Sequence, residues 1–401
     1  MGRRSLIGAR SMFSLSESQR CVREVARQFA EDKLFPVAAA LDAAHAFPRD
    51  VVRELGGIGM MGCQVSEGRG GAGLDTVSYA AAVEEISRGC ASTGAIMSVH
   101  NSLYCDAIEK YLNSEELLEE FLRPYASGER VGAFGLSEPG NGSDAAAAAA
   151  TAVYEEGEWV LSGTKAWTTN GGVADAAVVF ATTDKSKKHK GISAFVVPTD
   201  APGFSFGKPE DKLGIRASTT ASLILDGVRV PREYLLGKEG DGFKIAMRIL
   251  DSGRIGIAAQ GLGIARAALE LAANYSSNRD AFGKPISSLY AIQLKLSEMA
   301  TSIEGARLLT WRAAAEKDAG MPFSKSAAMA KLCASEAATK TAHAAMQILG
   351  GMGFVTDLPA ERYYRDARIT EIYEGTSEIM HLVIATNLLK EYQATTSPTP
   401  A

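Results

Sequence analysis

The spacing of apolar residues divides this chain into three stretches. From residue 13 to about 130, apolar side chains recur at helical intervals, first between Val22 and Phe29, after Ser16, a typical helix N-cap. Around residue 131 the pattern changes to short β-rich runs bounded by Gly, Pro or Asp. From about residue 241 it returns to long segments with one apolar face. The chain therefore changes from helical to β and back to helical.

The individual elements follow from the same periodicities. In the first stretch we predict helices over residues 50–56, 77–88, 101–111 and 114–122. In the middle stretch we predict strands over 159–163, 176–182, 191–198 and 221–225, with a solvated hairpin tip at 185–190; the alanine run 145–150 fits helix or strand. In the last stretch we predict helices over 241–275, 287–317, 324–350 and 371–392.

Together these elements predict an α+β fold of three domains. An N-terminal helical domain covers residues 13–130, and a small β-barrel or sheet domain covers 131–240. Four long helices joined by short links are typical of a bundle, which we place at 241–392.

Composition excludes several classes of protein. A net charge of −5 argues against a general nucleic-acid binder, and no apolar run is long enough to predict a membrane span. The five cysteines are scattered without metal-ligand spacing, so we predict no metal site and reduced thiols. Gly261-Leu262-Gly263 lies inside a helical pattern, which disfavours a nicotinamide-binding Rossmann unit.

The first sixteen residues are basic and serine-rich, with no acidic residue before Glu17. This is similar to a short mitochondrial transit segment, which predicts the mitochondrial matrix. The alternative is a frayed N-terminus of a bacterial cytoplasmic protein.

Glu374 is the candidate with the most chemistry around it. It lies between Tyr373 and Gly375, so an aromatic ring can exclude water while the glycine lets a ligand approach the backbone. Exclusion of water raises the pKa of a carboxyl group towards the range of a general base. Taken alone, a Glu-Gly pair is more often a solvated turn.

Three motifs in order carry a family resemblance. The segment from Arg365 to Ile379 resembles the C-terminal signature of the acyl-CoA dehydrogenases, and Phe134 to Asp144 resembles their flavin-binding signature. Trp167-Thr-Thr-Asn170 follows at the expected place. The similarity extends from about Phe13 to Tyr392 and is strongest to the short-chain (butyryl-CoA) branch.

The resemblance implies bound FAD. Trp167 would pack on the isoalloxazine ring, Thr169 would face flavin N5, and Arg279 would hold the pyrophosphate across a subunit interface. Without the resemblance, Trp167 would be interpreted as a core tryptophan and Arg279 as a helix-end arginine. The implied FAD contacts are Phe134, Leu136, Ser137, Gly142, Ser143, Trp167, Thr168, Thr169, Arg279, Phe282, Gln347, Gly350, Gly351, Thr376 and Glu378.

The resemblance also implies that Glu374 is the catalytic base. Arg254 would lie near it and stabilise the charges that develop in the site. We expect Gln260 to close the acyl tunnel, with Thr370 on the same floor; the alternative is that Gln260 faces solvent or caps a neighbouring helix. The implied substrate contacts are Ser143, Asp251, Ser252, Arg254, Gln260, Tyr373 and Gly375.

Two positions depart from the family pattern. Tyr290 stands where glutamine is common, at the flavin edge, and Met380-His381 replaces the usual Gln-Arg. These changes put the contacts normally made at both places in doubt.

The implied activity is dehydrogenation of a short acyl-CoA to the trans-2-enoyl-CoA, with electrons passed to an electron-transfer flavoprotein by a homotetramer. The alternatives are a short branched-chain acyl-CoA dehydrogenase, an acyl-CoA oxidase, and a non-catalytic assembly protein on the same fold.

Overall fold

The structure is a computed structural model that describes residues 14–396. Most of the basic N-terminal segment, residues 1–13, lies outside the described residues. The described chain forms two compact units. One contains residues 14–31, 76–91 and 254–396, and the other contains Asp32–Asp75 and Ser92–Gly253. The domain boundaries that we placed at 130 and 240 stay a prediction.

Helices occupy the first stretch, as the apolar spacing predicts. Helix α1 begins with the predicted cap, since Ser16 accepts from the Gln19 backbone N–H and its own N–H donates to the Gln19 side chain. A π-helix, His100–Cys105, separates α5 from α6. The helices are α1 Glu17–Phe29, α2 Ala38–Ala44, α3 Arg49–Gly57, α4 Thr76–Gly89, α5 Ala91–Val99, α6 Asp106–Tyr111, α7 Glu115–Phe121 and α8 Arg123–Ala126.

The middle stretch forms a sheet in the order β6-β7-β3-β2-β4-β5-β8, with β1 parallel to β4. Strand β4 is buried throughout because apolar clusters cover both faces of the sheet: Val178 and Phe180 point to one cluster, Ala177 and Val179 to the other. The strands are β1 Gly132–Gly135, β2 Thr151–Glu155, β3 Glu158–Thr169, β4 Ala176–Thr182, β5 Ile192–Pro198, β6 Phe204–Phe206, β7 Thr220–Pro231 and β8 Leu235–Leu236.

Two connections in this stretch were considered above, of which only the alanine run had two alternatives. Residues 185–190 form an exposed 3₁₀ link between the antiparallel strands β4 and β5, as predicted for a hairpin tip. The alanine run 145–150 is neither helix nor strand. Its backbone N–H groups at Ala149 and Ala150 donate to the Glu138 carboxylate, which takes the place of a regular backbone partner.

The last stretch is helical, but the two short strands within residues 280–285 and the short helix at 351–354 were not predicted, and two longer elements differ as well. The helix expected over 371–392 begins only at Ser377, because the backbone at Glu374 and Gly375 is left-handed. Helix α13 was not predicted. The elements are α9 Gly242–Asn278, β9 Asp280–Ala281, β10 Lys284–Pro285, α10 Tyr290–Asp318, α11 Ser324–Leu349, α12 Gly351–Phe354, α13 Ala360–Arg368 and α14 Ser377–Thr396.

Helix α9 packs closely against its neighbours through two glycines. A Cβ at Gly261 would lie 3.0 Å from the Ala334 carbonyl oxygen. A Cβ at Gly263 would lie only 2.4 Å from the Glu84 carbonyl oxygen. The glycine pair lies inside a helix, as its pattern predicts, and it serves helix packing. Within residues 14–396, α9 is long and apolar enough to cross a membrane by length and composition, and 78% of its most apolar window is buried in the protein.

Candidate functional site

The loop between α13 and α14 holds Glu374 in an unusual backbone conformation. Glu374 has φ of 53° and Gly375 has φ of 102°. A Cβ at Gly375 would lie 2.5 Å from Met380 Cε, so a side chain there would require Met380 to move and would also be strained by the left-handed backbone. A glutamate held in the left-handed region is strained, and such strain clusters at functional sites.

The carboxylate of Glu374 is buried although the residue as a whole is partly exposed. Neither oxygen has a hydrogen-bond partner. Burial raises the pKa of Glu374 to about 7, against the opposing positive charges of Lys331 and Arg254. A carboxyl group with a pKa near 7 and two unengaged oxygens has the properties of a general base.

Lys331 lies beneath this loop on α11 and is fully buried. Its Nζ donates to the Gly375 carbonyl oxygen at 2.6 Å. Burial lowers the pKa of Lys331 to about 8, while the charge of Glu374 acts in the opposite direction. Sequence reasoning did not single out Lys331. The available signal was a lysine on a helix face whose neighbours at i−4, i−3 and i+3 are alanines.

Gln260 is buried, and both polar atoms of its side-chain amide are hydrogen-bonded. Its Nε2 donates to the Ala91 carbonyl oxygen at 3.0 Å, and its Oε1 accepts from the Tyr373 hydroxyl. The solvent-facing alternative for Gln260 is therefore wrong, whereas its bond to Ala91, at the junction of α4 and α5, fits the alternative that it caps a neighbouring helix. Burial raises the pKa of Tyr373 well above its ordinary value, so the phenol stays protonated and remains a donor. Thr370 is buried and donates to the Ala367 carbonyl oxygen.

Arg254 is also buried, and its Nη2 is 3.9 Å from the position a Cβ would take on Gly375. The structure thus brings Glu374, Arg254, Lys331 and the Gln260–Tyr373 pair together within one compact unit. Asp251 and Ser252 precede Arg254 on the same helix, in the other unit, where Ser252 is buried.

In the sheet unit, a buried ion pair shapes the predicted flavin loop. Lys165 Nζ contacts Glu138 Oε1 at 2.6 Å and the Leu136 carbonyl oxygen at 3.3 Å. Glu138 also exchanges backbone hydrogen bonds with Asn141. Space beside Gly140 and Gly142 is open, so a ligand can approach the backbone there.

Trp167 lies beside this loop at an irregularity in β3. The pairing of β3 with β7 shifts register between Lys165 and Thr168, and Trp167 between them has φ of 58°. Its side chain is 66% exposed, so the core-tryptophan alternative is wrong. The Thr168 hydroxyl is buried without a hydrogen-bond partner, and Thr169 pairs with Thr220 in the sheet.

These features fit a flavin. An exposed aromatic ring, an open glycine-containing backbone and an unsatisfied hydroxyl are suited to a large planar, polar-edged ligand. Leu136 and Ser137 are half-buried, and Ser143 is exposed. Phe134 instead packs edge-to-face on Phe180 in the core, with ring centroids 5.0 Å apart, and supports the loop from below.

The remaining predicted FAD residues lie at the surface of the helical unit. Phe282 is 90% exposed at the tip of the β9–β10 hairpin, with φ of 56°. The Gly350 N–H donates to the Met346 carbonyl oxygen as a helix cap, and Thr376 Oγ1 accepts from the Ile379 backbone N–H. Exposed positions are Arg279, Phe282, Gln347, Gly350, Gly351 and Glu378.

The two departures from the family pattern have different surroundings. Tyr290 begins α10 and is 77% exposed. Met380 is fully buried against Ala328 and Leu332, so this position serves packing under Gly375, while His381 is exposed. Among the described residues, no group of three or more His, Cys, Asp or Glu side chains could hold a metal ion.

Three family models match the chain in order. They are the acyl-CoA dehydrogenase N-terminal domain over residues 16–129, the middle domain over 133–228 and the C-terminal domain over 240–389. The chain therefore belongs to the acyl-CoA dehydrogenase family, and the predicted family and α+β fold are confirmed.

Curated relatives narrow the position within the family. The chain is similar to the mitochondrial short-chain specific acyl-CoA dehydrogenase of Bos taurus, with 59% identity over 95% of this chain and 92% of that protein. It is also similar to the short-chain specific acyl-CoA dehydrogenase of Clostridium acetobutylicum, with 46% identity over 94% of this chain and 100% of that protein.

Solved structures of three other proteins are similar to this chain in fold and in sequence. Butyryl-CoA dehydrogenase from Megasphaera elsdenii gives a TM-score of 0.92 at 43% identity, over 94% of this chain and 99% of that one. A chain solved in work on the electron transferring flavoprotein of Acidaminococcus fermentans has a TM-score of 0.93 and 48% sequence identity, over 94% of this chain and 99% of that one. A glutaryl-CoA dehydrogenase from Mycobacterium smegmatis in complex with FADH2 has a TM-score of 0.89 and 34% sequence identity, over 96% of this chain and 97% of that one.

Proposed function

We propose that this protein is an FAD-dependent dehydrogenase that converts short-chain acyl-CoA thioesters to trans-2-enoyl-CoA. The observation that carries the proposal is the Glu374 carboxylate, which is buried, has no hydrogen-bond partner and has a pKa of about 7. A base must ionise near neutral pH and keep an oxygen ready to accept a proton, and this carboxylate meets both conditions.

In the proposed reaction, Glu374 removes the α-proton of the thioester. The Glu374 backbone N–H would polarise the thioester carbonyl, which makes the α-proton more acidic. Arg254 and Lys331 stabilise the carboxylate form of the base before transfer. Bound FAD would supply the acceptor for the β-hydrogen, which leaves as hydride.

The residues of the sheet unit would hold the flavin. Trp167 would pack against the ring system, and the open backbone at Gly142 would let it approach Ser143. Arg279 would bind the pyrophosphate of a cofactor held mainly by another subunit, since a guanidinium suits phosphate oxygens. This arrangement requires an oligomer, and we propose a homotetramer.

For the electron acceptor we propose an electron-transfer flavoprotein, supported by the similar chain from the Acidaminococcus work. For location we propose the mitochondrial matrix, by similarity to the cattle relative, with the bacterial cytoplasm as the alternative supported by the clostridial relative.

Anaerobic mixing with butyryl-CoA tests the proposed activity. We expect rapid bleaching of the flavin absorbance and formation of crotonyl-CoA. A folded, flavin-loaded protein that does not bleach would be an assembly protein rather than an enzyme. Fast reoxidation of the bleached flavin by oxygen would indicate an oxidase, whereas reoxidation by the flavoprotein acceptor alone supports the dehydrogenase.

A further prediction concerns acyl-chain length, and we expect butyryl-CoA to be preferred over octanoyl-CoA. Gln260 is held between Ala91 and Tyr373, next to the base, so a longer alkyl chain would have to displace a fixed polar side chain. Each methylene that fits an apolar pocket gains about 0.8 kcal/mol, so an open tunnel would favour eight carbons strongly.

The measurement is kcat/KM across straight-chain acyl-CoAs of four, six and eight carbons and a branched C4 or C5 substrate. We expect Gln260→Ala to improve the eight-carbon substrate relative to butyryl-CoA. Asn274→Ala, an exposed position on the same helix, is the control. Efficiency that rises steadily from four to eight carbons in the unmodified protein would contradict the short tunnel.

Arg279 gives a separate prediction for the assembly. We expect Arg279→Ala to lose both bound flavin and tetramer, because the flavin would bridge subunits, whereas exposed Arg53→Ala on α3 should lose neither. Light scattering and the flavin-to-protein absorbance ratio measure the two effects. A fully flavin-loaded monomer would rule out the shared site.

A further inference from the structure

Lys331 is a buried cation in an otherwise apolar part of helix α11. Its side chain is fully buried among Ala327, Ala328 and Ala334, which are also buried. An unpaired ammonium in such surroundings is costly, so a buried lysine needs close polar partners. Its Nζ donates to the Gly375 carbonyl oxygen at 2.6 Å, which is a short, charge-assisted hydrogen bond.

That hydrogen bond lies next to the strained residue of the site. Gly375 follows Glu374 directly, and both have left-handed backbone conformations. Such conformations persist only where surrounding contacts hold them. The bond from Lys331 and the packing of Met380 under Gly375 fix the loop from two sides.

The charge of Lys331 also acts on the carboxylate. It opposes the rise in the pKa of Glu374 more strongly than Arg254 does. The charged and titratable groups around the loop come from several elements: Arg254 on α9, Lys331 on α11, Asp366 and Arg368 on α13, Glu371 on the 3₁₀ turn before the loop, Tyr373 within it and Glu378 on α14. Lys331 and Arg254 are the two cations that act on the Glu374 carboxylate.

We propose that Lys331 is a positioning residue for the reaction of Glu374, through its hydrogen bond to Gly375 and its positive charge. The proposal rests on the proposed function, since it assumes that Glu374 is the base. Lys331 touches neither reacting carbon; it holds the Glu374 loop in its conformation and keeps the carboxyl group ionised at the pH where the base must act.

The pH dependence separates this role from a purely structural one. Loss of a nearby cation makes the carboxylate less stable, so the pKa of Glu374 should rise further above 7. An opposite charge a few ångströms away shifts a carboxyl pKa by about 1–3 units. In Lys331→Met we therefore expect the acid limb of kcat/KM to move up by about one pH unit. Activity at pH 7 then falls about fivefold more than at pH 9, because the ionised fraction of Glu374 at pH 7 drops from about one half to about one tenth.

Three companion variants isolate the causes. Lys331→Arg keeps the charge and a donor and should keep the acid limb in place, while Lys331→Gln keeps only a donor and should shift it as Lys331→Met does. Lys340→Met makes the same change at an exposed position on α11 and should alter neither rate nor pH profile. If Lys331→Met does not fold, the acid limb of kcat/KM is compared between Lys331→Arg and Lys331→Gln instead.

A second readout does not depend on turnover. Isotope-edited infrared spectroscopy of the flavin-loaded protein, with Glu374→Gln to assign the signal, titrates the Glu374 carboxyl group directly. A raised carboxyl pKa in Lys331→Met supports the proposal. A folded Lys331→Met whose carboxyl pKa and acid limb both equal those of the unmodified protein would overturn it, because a merely structural lysine changes melting temperature alone.

Failure of the proposed function would look different. If butyryl-CoA does not bleach the flavin of the unmodified protein, the activity is wrong before any variant is compared. The infrared titration would still report whether Lys331 sets the ionisation of Glu374.

Discussion

Glu374→Gln is expected to keep FAD and bind acyl-CoA but lose nearly all turnover. A positioned general base contributes about 10²–10⁴-fold to rate. The amide is nearly isosteric with the carboxylate and cannot accept the α-proton. Because the carboxylate oxygens make no hydrogen bonds within the protein, the change should leave the loop and its stability almost unaltered.

Stopped-flow reduction of the flavin by butyryl-CoA under anaerobic conditions measures the chemical step directly. The spectral change on binding a non-reducible acyl-CoA analogue reports that the substrate pocket is intact. Glu336→Gln, at a partly exposed glutamate on α11, is the matched control and should react like the unmodified protein. Flavin reduction in Glu374→Gln within a few-fold of normal would remove Glu374 from the mechanism.

Lys165→Met is expected to have the largest effect on stability. Lys165 is fully buried and Glu138 is 5% exposed, and the pair is joined at 2.6 Å. Burial alone would raise the pKa of Glu138, but Lys165 and the backbone N–H groups of Ala149 and Ala150 outweigh it and hold the pKa below its ordinary value. Methionine would leave that carboxylate buried without its cation.

Breaking a buried ion pair on one side costs roughly 3–5 kcal/mol, against a total stability of about 5–15 kcal/mol for a folded domain. Because Glu138 also orders the loop that precedes the alanine run, flavin should be lost together with stability.

Denaturant unfolding of four proteins tests this expectation. Lys165→Met should be strongly destabilised, and the double variant Lys165→Met/Glu138→Gln should recover part of the loss because no buried charge remains. Lys187→Met, at an exposed lysine of the same unit, is the control. A Lys165→Met protein as stable as the Lys187→Met control would mean that the pair contributes nothing to the fold.

Local patterns were sufficient for most of the fold. The Ser16 cap, the β-rich runs and the long apolar-faced helices all lie where side-chain spacing predicts them, because each depends on residues close in sequence. Helix α13 was missed because most of its nine residues are charged or aromatic, although Ala360, Tyr363 and Ala367 recur at helical spacing on its buried face. The helix predicted from 371 begins late because Glu374 and Gly375 leave the helical backbone region.

The sequence by itself determined the family and named the residues most suited to chemistry, since Glu374, Trp167 and Gln260 stand in recognisable local motifs. Only the tertiary structure decided their environment. The Glu374 carboxylate is buried by residues distant in sequence. Three contacts join residues 27 to 113 positions apart: the Lys165–Glu138 pair, the Lys331–Gly375 hydrogen bond and the Gln260–Tyr373 contact. Desolvation and Coulomb interaction depend on distance in space, which no local pattern records.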